Sequence, residues 1–214
     1  MRGTNFRESK FISIYKTIIT QTKTMRKSIL SLSIVATLFI VTKVNAQEFP
    51  DLDASPMDVA YYPDRLPYAD LRSKEITAPQ IKIYYTRPQL KGRKMIGEKA
   101  VEYGKMWRMG ANEANEIHFY QDVNIGGTSV AAGTYSIFVI PEESKWTFVL
   151  YNKLNVWGHY TLTDDDKEVA RVEGTVTKSD ETIEAMSIMF KEVNGTVNLM
   201  LGWENTIASM PIKF

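Results

Sequence analysis

The sequence predicts an all-β protein: a single antiparallel β-sandwich or jelly-roll-like domain of about eight or nine short strands behind an N-terminal leader. Three observations carry that expectation. Apolar and polar residues alternate with period two through much of residues 80–214, turn signals separate the alternating runs at regular spacing, and only one stretch offers a helix.

The leader comes first. Met25-Arg26-Lys27 is a short basic start, Ile29 to Val41 is apolar except for Ser31, Ser33 and Thr37, and Val44-Asn45-Ala46 supplies small residues for cleavage after Ala46. The apolar run falls short of the roughly 18–20 residues of a membrane span. No cysteine follows it, which excludes a lipid anchor. The expected location is the periplasm or the medium, with no stable membrane insertion once residues 25–46 are removed. Residues 1–24 are polar and basic and precede a complete leader, so they read as a mis-annotated or disordered extension with translation starting at Met25. Pro50, Pro56, Pro63, Pro67 and Pro79 mark residues 47–79 as an irregular arm, with one short edge strand near Val59–Tyr62.

Residues 80–214 form the expected β domain. Ile81, Ile83 and Tyr85 alternate with Lys82, Tyr84 and Thr86 until Pro88. Ile117, Phe119, Val123 and Ile125 alternate with Glu116, His118, Tyr120 and Asp122. Gly126-Gly127 makes a turn before Thr128–Val130, and Ala132-Gly133 makes another. Thr134–Ile140 is apolar on both faces and Trp146–Tyr151 nearly so, as central strands are. Val169–Thr177, Ile183–Lys191, Thr196–Trp203 and Thr206–Ile212 read as four further strands. They are divided by Ser179-Asp180, by the hairpin signal Asn194-Gly195, and by Glu204-Asn205. The one helix candidate is Glu98–Trp107, interrupted by Gly104.

Charge and cysteine content narrow the function. With no cysteines, disulfides, thiolate metal sites and Cys nucleophiles are all excluded. Residues 1–46 hold eight of the 26 basic residues and one of the 25 acidic ones. The remaining 168 residues therefore carry 18 basic and 24 acidic side chains, net −6. Such a surface disfavours nucleic acid and anionic membranes as partners.

The unusual polar chemistry lies between Thr86 and His118. Arg87 continues the Ile81, Ile83, Tyr85 face and so points inward at a strand end. A guanidinium there needs a carboxylate or carbonyl, and Glu113 and Glu116 are the expected partners. One use is a clasp that fixes a loop across the mouth of the sandwich, the commoner role of such pairs. The other is an anion pocket in which Arg87, Arg93 and Arg108 grip a carboxylate or phosphate. Trp107, Asn112, Glu113, Trp157 and His159 complete the candidate ligand-binding set. Trp157-Gly158-His159-Tyr160 is the aromatic stretch expected at the surface, whereas Trp146 and Trp203 fall on apolar strand faces.

Metal and catalytic motifs are thin. Glu116 and His118 lie two apart on one strand face, and His159 or Glu113 could complete a ligand set. That face is polar throughout, as a solvated strand is, so no metal and no cofactor is assigned. Asp164-Asp165-Asp166 lacks the alternating oxygens and central glycine of a calcium loop and reads as a turn. There is no Gly-x-Ser-x-Gly elbow and no Ser-x-x-Lys.

Several blocks in order resemble one family. Tyr85-Thr86-Arg87-Pro88 with Lys91-Gly92-Arg93 is similar to the opening of the DUF2911 proteins, exported proteins of Bacteroidetes-type bacteria. The block from Tyr103-Gly104-Lys105-Met106-Trp107-Arg108 to Met109-Gly110-Ala111-Asn112-Glu113-Ala114 resembles its most distinctive motif, with Met109 where a Thr is expected. Ala132-Gly133-Thr134-Tyr135 through Pro141 resembles the next, and Trp146 and Trp157-Gly158 continue the order. The resemblance runs from about Ser55 to Pro211. It implies an exported, single all-β domain and supplies no catalytic residues.

The functional expectation is a non-catalytic module that binds a small ligand, a glycan or an envelope protein. Two alternatives stand beside it. One is a hydrolase, metal-assisted or not, using Glu113, Glu116 and His118; the other is a purely structural module built on a buried Arg–Glu clasp.

Overall fold

The computed structural model describes residues 12–27, 49–64 and 78–214. The apolar run of the leader, the Ala46 cleavage position and residues 65–77 of the arm lie outside the described residues. The chain divides into two compact units, Met1–Asp51 and Leu52–Phe214. In the first, residues 12–27 are helical. Threonine is a poor helix former, and here its hydroxyls turn back onto the helix. Thr17, Thr20, Thr22 and Thr24 donate to the carbonyls of Ser13, Lys16, Ile18 and Thr20. No helix among the described residues is long and apolar enough to cross a membrane.

The second unit is all-β. In chain order its strands are β1 (Met57–Tyr62), β2 (Ile81–Thr86), β3 (Asn115–Phe119), β4 (Val123–Ile125) and β5 (Thr128–Val130). There follow β6 (Gly133–Pro141), β7 (Lys145–Tyr151), β8 (Glu168–Val193) and β9 (Thr196–Ile212). Seven of them form one antiparallel sheet in the order β1-β2-β3-β6-β7-β8-β9, and β4 and β5 form a hairpin inserted between β3 and β6. Each neighbour in the large sheet is also the next strand of that sheet along the chain, so a simple meander builds it. The short strand expected in the arm is β1, paired with β2 from Met57↔Thr86 to Tyr62↔Ile81.

The C-terminal third differs from its sequence reading. The four expected strands are two long ones, joined at Asn194-Gly195, where both residues adopt positive φ (51° and 73°). The other two separators are irregularities inside the strands. Between Thr175↔Ser209 and Val193↔Thr196 the ladder advances eighteen residues in β8 against thirteen in β9, with register shifts on either side of Ile183. Such bulges bend a strand without ending it. The freed part of β8 finds another partner: Leu90 N donates to Glu184 O, Met186 N donates to Pro88 O, and Gln89 bridges Ala185. The extension of β2 thus meets β8, and the sheet curls back on itself.

The core fills the inside of the curl. Ile81, Ile83, Ile117, Phe119, Ile137, Trp146, Phe148, Leu199 and Leu201 have no exposed surface, and each contributes roughly 1.5–3 kcal/mol by burial. Gly174 lets β8 approach closely. A Cβ there would stand 2.3 Å from Ser209 O and 2.6 Å from the Phe148 ring.

The expected helix at 98–107 is absent. Gly97 and Gly104 adopt positive φ, Gly104 N donates to Pro141 O, and Trp107 exchanges both backbone hydrogen bonds with Val139. The apolar residues of this segment enter the core one at a time (Ile96, Val101, Trp107, Met109), a spacing that no helix face supplies.

Candidate functional site

A cleft of about 450 Å³ opens at the ends of β2 and β3. Met57, Tyr84, Tyr85, Thr86, Glu113, Ala114, Asn115, Glu116, Asn155 and Trp157 line it. Its wall, residues 109–115, is latched by two buried polar side chains. Thr86 Oγ1 donates to Ala111 O at 2.8 Å and accepts from Ala111 N at 2.7 Å. Asn115 Nδ2 donates to Met109 O at 2.6 Å, and its Oδ1 accepts from Thr86 N at 3.3 Å. Gly110 lies against this latch, where a Cβ would stand 2.5 Å from Thr86 Oγ1. The facing wall is the loop after β7. Ser136, buried on β6, donates to Lys153 O at 2.6 Å, Asn155 N donates to Glu116 Oε1 at 2.9 Å, and Ala114 N donates to Val156 O at 2.8 Å.

Two exposed rings face this space. Trp157 is 55% exposed and Tyr84 43%. Lys82 stands two residues before Tyr84 on the same strand face, its Nζ 4.7 Å from the ring centroid. Glu113 and Glu116 add two carboxylates, and among the described residues no basic side chain lines the cleft.

The three arginines expected to share an anion pocket lie outside this lining. Arg87, Arg93 and Arg108 share no hydrogen-bond partner. Arg87 donates from Nη1 to Asp58 Oδ2 at 3.0 Å, from Nη2 to Ser187 Oγ at 2.8 Å and from Nε to Met186 O at 3.1 Å. Its carboxylate partner is Asp58 of β1, neither Glu113 nor Glu116. Sequence reasoning missed Asp58 because the pair joins residues 29 apart through the β1–β2 register. Arg93 folds onto its own turn, donating to Leu90 O and Gln89 O at 2.9 Å each. Arg108 has no acceptor among the described residues, and its Nε is buried.

The remaining expected residues separate into core, cleft and surface. Trp107 is core: it is 6% exposed, stacks on Trp203 at 5.7 Å and meets Trp146 edge-on at 6.3 Å. Asn112 holds a positive φ of 58° in the latched loop and lies outside the cleft lining. His118 shares a 2.7 Å hydrogen bond between its Nδ1 and Thr134 Oγ1, and it packs edge-on against Tyr120. Glu116 Oε1 is held by Asn155 N and His118 Nδ1 by Thr134 Oγ1. Among the described residues no group of three His, Cys, Asp or Glu could hold a metal ion. His159 sits in a single 3-10 turn (His159–Thr161), where burial, and then the Arg108 charge, lower its pKa below the usual histidine value. Asp166 closes the acidic turn, accepting from Lys153 Nζ at 2.8 Å and Thr163 N at 2.6 Å, and these bonds lower its pKa.

Thr86, Asn115, Ser136 and Asn155 were not singled out from the sequence. Asn115 carried a signal, because it continues the inward face of Ile117 and Phe119. Asn155 carried none, since only the long-range packing of its loop brings it to the cleft.

Neither the curated proteins nor the solved structures contain a match to this chain. A family model does match, over residues 68–212; its start leaves β1, and with it Asp58, outside the matched span. The chain belongs to the family described as "Protein of unknown function (DUF2911)".

Proposed function

We propose that this protein is an exported, non-catalytic module that binds a saccharide in the cleft between Tyr84 and Trp157. The observation that carries the reading is the pairing of two exposed aromatic rings with two carboxylates in one concave space. A sugar ring offers an apolar C–H face that stacks on an indole or phenol, and hydroxyls that donate to carboxylates. The latched walls support it as well, because a preformed cleft spends little of its binding energy on ordering itself. Export rests on the leader read at residues 25–46, and the acidic balance beyond residue 46 agrees with a ligand that is not polyanionic.

The test is calorimetric titration of the full-length protein with a panel of neutral oligosaccharides. Millimolar or tighter binding of at least one is expected, falling about tenfold or more in Trp157→Ala with unchanged thermal unfolding. If no saccharide binds, the reading fails, and an envelope-protein partner takes its place. The two carboxylates also fit hydrolysis, which needs such a pair. Release of reducing ends by wild type but not by Glu113→Gln or Glu116→Gln would move the assignment to a hydrolase.

A further inference from the structure

We propose that the saccharide taken by this cleft carries a protonated amine, which makes its class the cationic amino sugars; this rests on the saccharide reading above and narrows it. Glu113 and Glu116 line the same space of about 450 Å³, both half-buried, and among the described residues no basic side chain lines it with them. Other half-buried carboxylates of the fold have partners: Asp58 accepts from Arg87, Asp166 from Lys153, and Glu204 from the Met95 and Ile96 amides. Glu113 has no hydrogen bond and no ion pair among the described residues. Glu116 accepts from Asn155 N through Oε1, a neutral donor that leaves its charge uncompensated. Two carboxylates drawn partly out of water in one concave space, without a counter-charge, attract a cation more strongly than the same groups would on an open surface.

The rings of the cleft favour the same charge. The face of an indole or phenol is electrically negative and holds an ammonium within about 6 Å of its centre. The fold does this itself at Tyr84, where the Lys82 ammonium stands 4.7 Å from the ring centroid, outside the cleft lining. Lys82 forms no ion pair with Glu113 or Glu116 among the described residues, so both carboxylates are left to the ligand. Trp157, 55% exposed, presents a second ring to the same space. An amino sugar answers both features at once. Its C–H face stacks on a ring, and its ammonium has three donors, each of which makes a charge-assisted bond when it points at a carboxylate. A neutral sugar has the stacking without the charge, and an acidic one is repelled.

The test titrates the full-length protein calorimetrically with two tetrasaccharides of the same linkage, one of glucosamine and one fully N-acetylated and therefore neutral. At about pH 6 the free amine is protonated. The glucosamine form is expected to bind about tenfold or more tighter than its N-acetylated counterpart, with the ratio falling as sodium chloride is raised. In Glu113→Gln the ratio drops toward unity, whereas Glu181→Gln, which removes an exposed carboxylate outside the cleft lining, keeps it. Equal binding of the two forms by wild type, or a preference for the neutral one, overturns the proposal and leaves the saccharide reading standing. A ratio that survives in Glu113→Gln, or falls as far in Glu181→Gln, overturns it as well, because the preference then comes from the overall negative charge. If neither form binds and no neutral oligosaccharide does, the saccharide reading itself fails and the proposal falls with it.

Discussion

The Arg87 guanidinium bonds the Asp58 carboxylate of β1 at 3.0 Å. Arg87 also donates to Met186 O and Ser187 Oγ, so one side chain spans β1 and β8 where the curled sheet meets itself. Both charged groups are more than a third exposed, and solvent holds the ion pair itself to less than about 1 kcal/mol. The bonds to β8 add to that. Arg87→Met is expected to cost about 1–2 kcal/mol in urea unfolding, and Asp58→Asn about 0.5 kcal/mol. Equal losses in the two variants would mean that the bonds to Met186 and Ser187 contribute nothing.

The tryptophans divide by the same logic. Trp107 stacks on Trp203 inside the curl, so Trp107→Ala opens a cavity and is expected to cost about 3–5 kcal/mol. Trp157 is mostly solvated, and Trp157→Ala should leave the unfolding midpoint within about 0.5 kcal/mol of wild type. Denaturant titrations of the two variants side by side check this. A large loss in Trp157→Ala would make that indole architecture and remove it from the binding site.

The period-two alternation located β2, β3, β6 and β7 because in those strands one face or both are buried by local pattern alone. It failed where long-range contacts decide. Glu204-Asn205 reads as a turn, yet Glu204 takes a positive φ within β9 because its carboxylate is held from the other side of the loop. The Glu98–Trp107 segment looks helical until Val139 claims the backbone of Trp107. At the site, Glu113, Glu116 and Trp157 were legible as unusual residues in unusual places, and the cleft does gather them. Arg87, Arg93 and Trp107 were equally conspicuous, but their chemistry is consumed by the fold. Sequence shows that an arginine needs a partner; it does not show that the partner sits on a strand 29 residues upstream.

Glu204 offers a direct measure of one such long-range hold. Its Oε1 accepts from both Met95 N and Ile96 N, at 2.9 Å for the latter, pinning the loop that leads to Val101. Glu204→Ala removes two charge-assisted bonds and should cost about 1–3 kcal/mol, with faster hydrogen exchange at the Met95 and Ile96 amides. Glu204→Gly loses the same bonds but relieves a side chain held at φ 54°, so it should be milder by about 1 kcal/mol. If exchange at those two amides does not change, the loop is held by its apolar residues alone.

Alkaline pH tests the closure at the other end of the same strands. The Tyr62 hydroxyl donates to Glu192 Oε2 at 2.6 Å, and its ring stacks on Phe214. That hydrogen bond to a carboxylate, then burial and the carboxylate charge, push the phenol up to about 12 from its ordinary 10.0. Between those values the unfolded chain has released the proton while the folded chain still holds it, so unfolding is favoured as pH rises. The contribution of Tyr62 is therefore complete below the ordinary value and is lost progressively toward the raised one. Tyr62→Phe lacks this ionisation. The stability of wild type relative to Tyr62→Phe should stay constant up to about pH 10 and decline above it, while tyrosinate absorbance shows one late-ionising phenol missing from the variant. A stability difference that stays flat through that range would mean the Tyr62–Glu192 bond is not made in solution.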